Sequence, residues 1–220
     1  MTEKRAIEIL RILRATFAMP EWTEKKLDPF ETLVETIISQ NTADRNTTRA
    51  FEALSKRFEI KPEVLAEAQT SDIEQCLKVA GLYKNKAKSI KLASEMILEE
   101  FHGTLEPVLS LPFEDARKRL LQFSGVGPKT TDVVLLFAAE QPTIPVDTHV
   151  NRVAKRLGFA PENADYETVR NNLQSLYNPR DYLAVHLLLI AHGRKFCKAR
   201  RPQCSECPLN AHCPSKGLWT

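Results

Sequence analysis

LPFEDARKRLLQFSGVGPKTTDVVLLFAAEQPTIPVDTH, residues 111–149, is the stretch on which the reading of this chain turns. It divides into a helix, a glycine hairpin (Gly125-Val126-Gly127-Pro128) and a second, strongly apolar helix over 129–139. A short connector between Pro142 and Pro145 then leads to an aspartate that opens a third helix at Thr148. A GxG hairpin between two helices leaves backbone N–H groups able to receive an anion, most simply a phosphate. Lys129 follows the hairpin at the first turn of its helix, where the positive end of the helix dipole disfavours a cation. Dipole repulsion and partial burial both push an amine toward its neutral, nucleophilic form. A solvated lysine, or one that only contacts phosphate, is the plainer account. Asp147 fits an N-cap, and a cap can still turn a carboxylate toward a pocket. His149 reads as structural, packed or hydrogen-bonded.

Outward from this stretch the pattern stays helical, with no convincing strand alternation. Residues 2–17 place Ala6, Ile7, Leu10, Ile12, Leu13 and Phe17 mostly on one face, and Pro20 ends that helix. Asp28-Pro29 starts a helix carrying Phe30, Leu33, Val34, Ile37 and Ile38, which runs out at Ser39-Gln40-Asn41-Thr42. Further helices are expected over 43–58, 62–68, 71–79, 84–101, 148–158, 164–177 and 180–193. The chain is therefore expected to be all-α, dividing near residue 140.

With 220 residues, the chain can form one large domain or two small ones. Its composition is that of a globular protein: 43% hydrophobic, 27% charged, with seven Gly and thirteen Pro. No apolar run is long enough to span a membrane, and Met1-Thr2-Glu3-Lys4-Arg5 opens an amphipathic pattern and not a signal peptide. The expectation is a cytoplasmic, intracellular protein. A net charge of +3 is too small to establish a polyanion partner, so the placement of charge must decide.

Cys76 stands alone in an apolar helical pattern and reads as a buried thiol. The other four form the array Cys197-x6-Cys204-x2-Cys207-x5-Cys213, stiffened by prolines at 202, 208 and 214. Disulfides are disfavoured without a secretion signal. On spacing alone, structural zinc and an iron–sulfur cluster stand level. Arg194, Lys195, Lys198, Arg200 and Arg201 bracket the first cysteine with no acid among them. They form either a solvated face or a set of phosphate contacts.

Taken together, GVGPKT with Lys129, VDTHVNRVAKRLG with Asp147, GLYKNKA at 81–87, ISQNTAD at 38–44 and the x6-x2-x5 cysteines resemble the endonuclease III family of DNA glycosylases. That family lies within the helix-hairpin-helix glycosylase superfamily, and the resemblance covers almost the whole chain. It implies a bilobal all-α fold. One lobe is a six-helix barrel over 22–139, with its helix-hairpin-helix at 113–139. The other is made of 1–21 plus 140–220. The cysteine loop at 197–213 would hold a [4Fe–4S] cluster through Cys197, Cys204, Cys207 and Cys213.

The implied function is that of a monomeric, nucleoid-associated base-excision-repair glycosylase with AP lyase activity, acting on oxidised pyrimidines and abasic sites in double-stranded DNA. DNA would cross the cleft between the lobes and the damaged base would be flipped out. Lys129 would attack C1′ and Asp147 would assist. Gly125, Val126 and Gly127 would grip a phosphate, and Arg194, Lys198 and Arg200 would contact DNA. Gln40 would fill the vacated space in the duplex, with Leu82 as the apolar wedge beside it.

Departures from the family pattern are Phe123-Ser124 where Leu-Pro is usual, Pro128 in place of a common basic residue, and Asn41-Thr42, which resembles an archaeal branch. Glu35 lies near the position of a catalytic glutamate in adenine-specific relatives and reads here as a solvated helix residue. Two competing readings are a monofunctional glycosylase for mismatched thymine, uracil or adenine, and a non-catalytic DNA-binding module.

Overall fold

A computed structural model describes residues 2–25 and 27–218. Among these residues all regular structure is helical, with twelve α-helices, several 3₁₀ turns and no strand. In chain order they are α1 (Glu3–Thr16), α2 (Pro29–Ser39), α3 (Asp44–Arg57), α4 (Pro62–Glu67), α5 (Thr70–Leu77) and α6 (Tyr83–Phe101). They continue with α7 (Glu106–Leu109), α8 (Phe113–Leu120), α9 (Pro128–Ala138), α10 (Thr148–Arg156), α11 (Tyr166–Leu176) and α12 (Tyr182–Lys195). None is long and apolar enough to cross a membrane.

The chain divides into two compact units: Lys26–Gln141, and Met1–Lys25 together with Pro142–Thr220. In the first, Asp28 caps α2 by accepting from the Glu31 amide at 2.8 Å, and Pro29 takes the first helical position, where no N–H is required. The expected stripe Phe30, Leu33, Val34, Ile37 and Ile38 is buried. It joins a core with Leu54, Ile73, Ile90, Ile97, Leu120, Val134 and Leu135. α9 packs against α2, and α6 against α2, α4 and α5. α9 is buried almost all round: Thr130, Thr131 and Asp132 are buried along with its aliphatic residues. Asp132 is tied to the buried Arg117 of α8, Nε to Oδ1 at 2.8 Å, which braces the two helices beside the hairpin.

In the second unit α1 packs on α11 and α12, and α10 on α11 and α12. Asp147 caps α10 and Asp165 caps α11, each accepting an amide three residues on, at 2.7 and 2.8 Å.

Two expectations change. On α1 the buried stripe is Ala6, Ile9, Leu10 and Leu13, whereas Ile7 is 55% exposed. The i, i+3, i+4, i+7 spacing of the buried four defines the face, and Ile7 lies about 100° from Ala6 around the helix. Cys76 is half-buried at the edge of the core, where burial raises its thiol pKa.

Candidate active site and cysteine loop

The hairpin sits at the junction of α8 and α9. Gly125 has φ +75°, and a Cβ added there would lie 2.2 Å from Ser89 Oγ on α6, so the position demands glycine twice over. Val126 is 6% exposed and anchors the loop in the core, its amide donating to Phe123 O at 3.1 Å. That side chain therefore holds the loop from beneath. Gly127 is the N-cap of α9 at φ −101°, a conformation open to any residue, and a Cβ there would meet nothing within 4 Å. The amides of Gly125 and Gly127 find no acceptor among the described residues. Both amides are therefore open to an acceptor from outside the protein, beside the N-terminus of α9. Lys129 follows as the second residue of the helix, half-buried.

Two further loops flank the hairpin in the same unit. Gln40 lies at the C-cap of α2, and its side-chain amide donates to Gly125 O at 2.9 Å and to Thr130 Oγ1 at 3.2 Å. The glutamine expected to enter DNA is thus docked on the hairpin here. Leu82 caps α6 in the left-handed region at φ +47° with its side chain 60% exposed, and Asn41 is left-handed as well. A bulky leucine in that conformation is strained, and such strain concentrates at functional sites. Glu35 is exposed on α2, yet partial loss of its solvation and then the neighbouring Glu31 raise its carboxyl pKa.

Sequence reasoning missed Lys86. Its Nζ is buried and bonded to Ile38 O and Ala80 O, both at 2.8 Å, and to Thr42 Oγ1 at 2.5 Å. Lys84, Lys86 and Lys88 look alike in sequence. The only clue was the helical phase that places 86 with the buried Ala87 and Ile90.

In the other unit Asp147 is half-buried, one carboxylate oxygen engaged in capping α10. His149 Nδ1 lies 3.1 Å from Arg152 Nη2, and burial lowers the histidine pKa. The four C-terminal cysteines line one cavity with about 420 Å³ of empty space, part of it open to solvent. His192, Arg156 and Lys216 line it too, with no acid among its walls.

Backbone and arginines hold this loop. Arg156 donates to Lys198 O at 2.7 Å and Ala199 O at 3.2 Å, and its Nη1 lies 3.5 Å from Cys197 Sγ. Arg152 Nε donates to Cys197 O at 2.9 Å, and Arg5 Nε to His212 O at 3.1 Å. His192 is buried, which pulls its pKa down to about 4, and its Nε2 lies 3.7 Å from Cys207 Sγ. Burial, followed by its fellow cysteines, pushes the Cys207 thiol up to about 11.

Four thiolates crowded in this way require a cationic centre to ionise. Zinc would need sulfurs about 2.3 Å from one point. Among the described residues no three His, Cys, Asp or Glu side chains are gathered closely enough to grip a single ion. Four soft donors around a shared space fit a polynuclear iron–sulfur cluster. Arg194, Lys195, Lys198, Arg200 and Arg201 are all exposed, Lys195 lying over the rings of Phe17 and Phe196.

Comparison with known proteins agrees with these features. The family described as HhH-GPD superfamily base excision DNA repair protein matches residues 34–179, and the iron-sulfur binding domain of endonuclease III matches residues 197–213. Endonuclease III of Sulfolobus acidocaldarius is 36% identical over 86% of this chain and 83% of its own length. That of Bacillus subtilis is also 36% identical, over 84% and 81%. A solved trapped endonuclease III–DNA covalent intermediate with an estranged adenine matches with a TM-score of 0.87 at 29% identity, over 99% of this chain and 98% of that one.

Proposed function

The chain belongs to the endonuclease III family, within the HhH-GPD superfamily of base excision DNA repair proteins, and from that premise we propose that Lys129 is the amine that opens the reaction and Asp147 the carboxylate that assists it. The protein is a DNA-binding base-excision-repair glycosylase with AP lyase activity, and its cofactor is a [4Fe–4S] cluster. The substrate we assign is an oxidised pyrimidine in duplex DNA, with the protein acting as a monomer.

In this reading the Lys129 lone pair forms a bond to C1′ of the extruded nucleotide. The glycosidic bond breaks, and the base departs with its electron pair. Asp147 takes up the proton released from the amine or balances the positive charge that gathers on the sugar. The C1′–O4′ bond then opens, O4′ taking a proton, and the resulting protonated imine between Lys129 and C1′ acidifies C2′–H. Loss of that proton expels the 3′ phosphate by β-elimination and nicks the strand. The amides of Gly125 and Gly127 hold a backbone phosphate during these steps, and Gln40 leaves its hairpin bonds to occupy the space of the flipped base, with Leu82 beside it. Arg194, Lys198 and Arg200 add phosphate contacts. Cys197, Cys204, Cys207 and Cys213 would hold the cluster, which supplies a rigid cross-link for the loop that carries these cations.

The observation that carries the reading is the placement of Lys129. A half-buried lysine at the second position of a helix, directly after an anion-receiving hairpin, sits where helix electrostatics favour an acid. Borohydride reduction during turnover should convert the imine to a stable protein–DNA adduct. Lys129→Ala should abolish that adduct, and an undiminished adduct in this variant would overturn the assignment. Dihydrouracil and thymine glycol duplexes should be cleaved in preference to uracil or thymine mismatches, and the reverse order would overturn the substrate class.

A further inference from the structure

Three segments of the Lys26–Gln141 unit meet the first turns of α6. Ser89 lies against Gly125 of the hairpin. One turn earlier, Lys86, only 3% exposed, spends its three N–H groups on Ile38 O, Thr42 Oγ1 and Ala80 O. Two of these acceptors flank Gln40 and Asn41, and the third immediately precedes Gly81 and Leu82. The Thr42 hydroxyl reaches the same Ala80 carbonyl. Among the described residues no backbone hydrogen bond joins segment 38–42 to segment 80–82, so the link runs through side chains.

An ammonium is expensive to bury, and burial lowers the Lys86 pKa. An aliphatic residue would fill the same volume without that cost. The ammonium adds three bonds that tie segment 38–42 to segment 80–82, which carry left-handed residues at Asn41 and, under strain, at Leu82. We infer that Lys86 is a positioning residue that locks the Gln40 and Leu82 loops at a fixed spacing, so that the two enter the duplex as one probe during base extrusion. The inference rests on the proposed reading that Gln40 and Leu82 enter DNA.

The test uses the full chain with its cluster. Lys86→Met keeps an unbranched side chain one atom shorter and removes the three donors. Base extrusion is followed by the fluorescence of 2-aminopurine beside a dihydrouracil in duplex DNA, and base release by single-turnover excision. A misplacement of about 1 Å can cost on the order of 100-fold, so excision should fall roughly 10- to 100-fold with a weakened extrusion signal. β-Elimination at an abasic site in single-stranded DNA needs no extrusion and should be unchanged. Equal losses on both substrates would reduce Lys86 to a fold-stabilising residue, and unchanged extrusion would overturn the inference outright.

If Lys86→Met does not fold, Thr42→Val decides the matter. It removes the hydroxyl shared by the ammonium and Ala80 while keeping the side-chain shape, and normal extrusion in that variant would overturn the inference. Gln40→Ala and Leu82→Ala separate the two layers. If neither alters extrusion, the underlying reading fails. If they impair it while Lys86→Met does not, only the tie fails.

Discussion

Gly125 and Gly127 stand two residues apart in one loop, yet they are glycine for different reasons. Gly125 is required by the protein itself, through its positive φ and the Ser89 hydroxyl on α6. Among the described residues a Cβ at Gly127 would meet nothing within 4 Å, so in the proposed reading its bare backbone serves the approaching phosphate. Gly125→Ala should therefore lose both stability and DNA affinity. For Gly127→Ala, the weaker cap and the stiffer unfolded chain nearly cancel, leaving stability within about 1 kcal/mol. Its DNA affinity should fall roughly tenfold or more, because a hydrogen bond to a charged group is worth about 1.5–3 kcal/mol. Urea unfolding beside a binding titration separates the two, and an unaltered Gly127→Ala affinity would remove the hairpin from the interface.

Asp147 allows a similar separation, because Asn caps a helix about as well as Asp. Asp147→Asn should melt like the parent while single-turnover excision falls on the order of 10²- to 10⁴-fold, the usual reach of acid–base assistance. Asp147→Ala should in addition lose about 1 kcal/mol of stability. The capping role was legible in sequence because it is local, resting on a carboxylate three residues before the amide it accepts. Lys86 was not legible in that way. Its partners lie 6, 44 and 48 residues away, and its neighbours Lys84 and Lys88 carry the same charge.

At the scale of elements, the two helices around the hairpin could be read from the motif, but the brace between them could not. Arg117 and Asp132 are fifteen residues apart, and in sequence each looks like an ordinary solvated charge. Folding buries both, and the pair joins α8 to α9. Asp132→Ala takes the carboxylate away from a buried guanidinium and should cost about 3–5 kcal/mol in urea unfolding. Replacing both partners with apolar residues of similar volume should recover most of that loss, since an ion pair in the interior gives back little beyond its own desolvation. A double variant no more stable than Asp132→Ala would mean that the ion pair itself holds the hairpin. The short α7 went unread because four residues cannot display a 3.6-residue period.

At the scale of the whole molecule, the unit formed by the N-terminal helix and the C-terminal third has two parts of different physical character. Its helices carry their own apolar core: Ile9, Leu13, Val150, Val153, Leu173, Val185 and Leu189 are all buried. The cysteine loop has a single 3₁₀ turn and depends on arginines bonded to its carbonyls and on whatever binds its four sulfurs. Helical periodicity announced the first part, and cysteine spacing the second. The arginines from α1 and α10 that join them were unreadable, because nothing in the sequence says which carbonyl a guanidinium will find. Removing the iron by oxidation should accordingly leave the far-ultraviolet helical signal nearly intact while the loop loses its fixed shape. Lys198 and Arg200 on the loop would no longer be held for phosphate contact, whereas Arg194 stays on α12. Each phosphate contact contributes about 0.9 to the slope of log affinity against log salt, so that slope should flatten by roughly 1 to 2. A slope that survives the loss of the cluster would place the DNA-binding charge elsewhere, and Lys198→Ala with Arg200→Ala in the intact protein would then leave affinity unchanged as well.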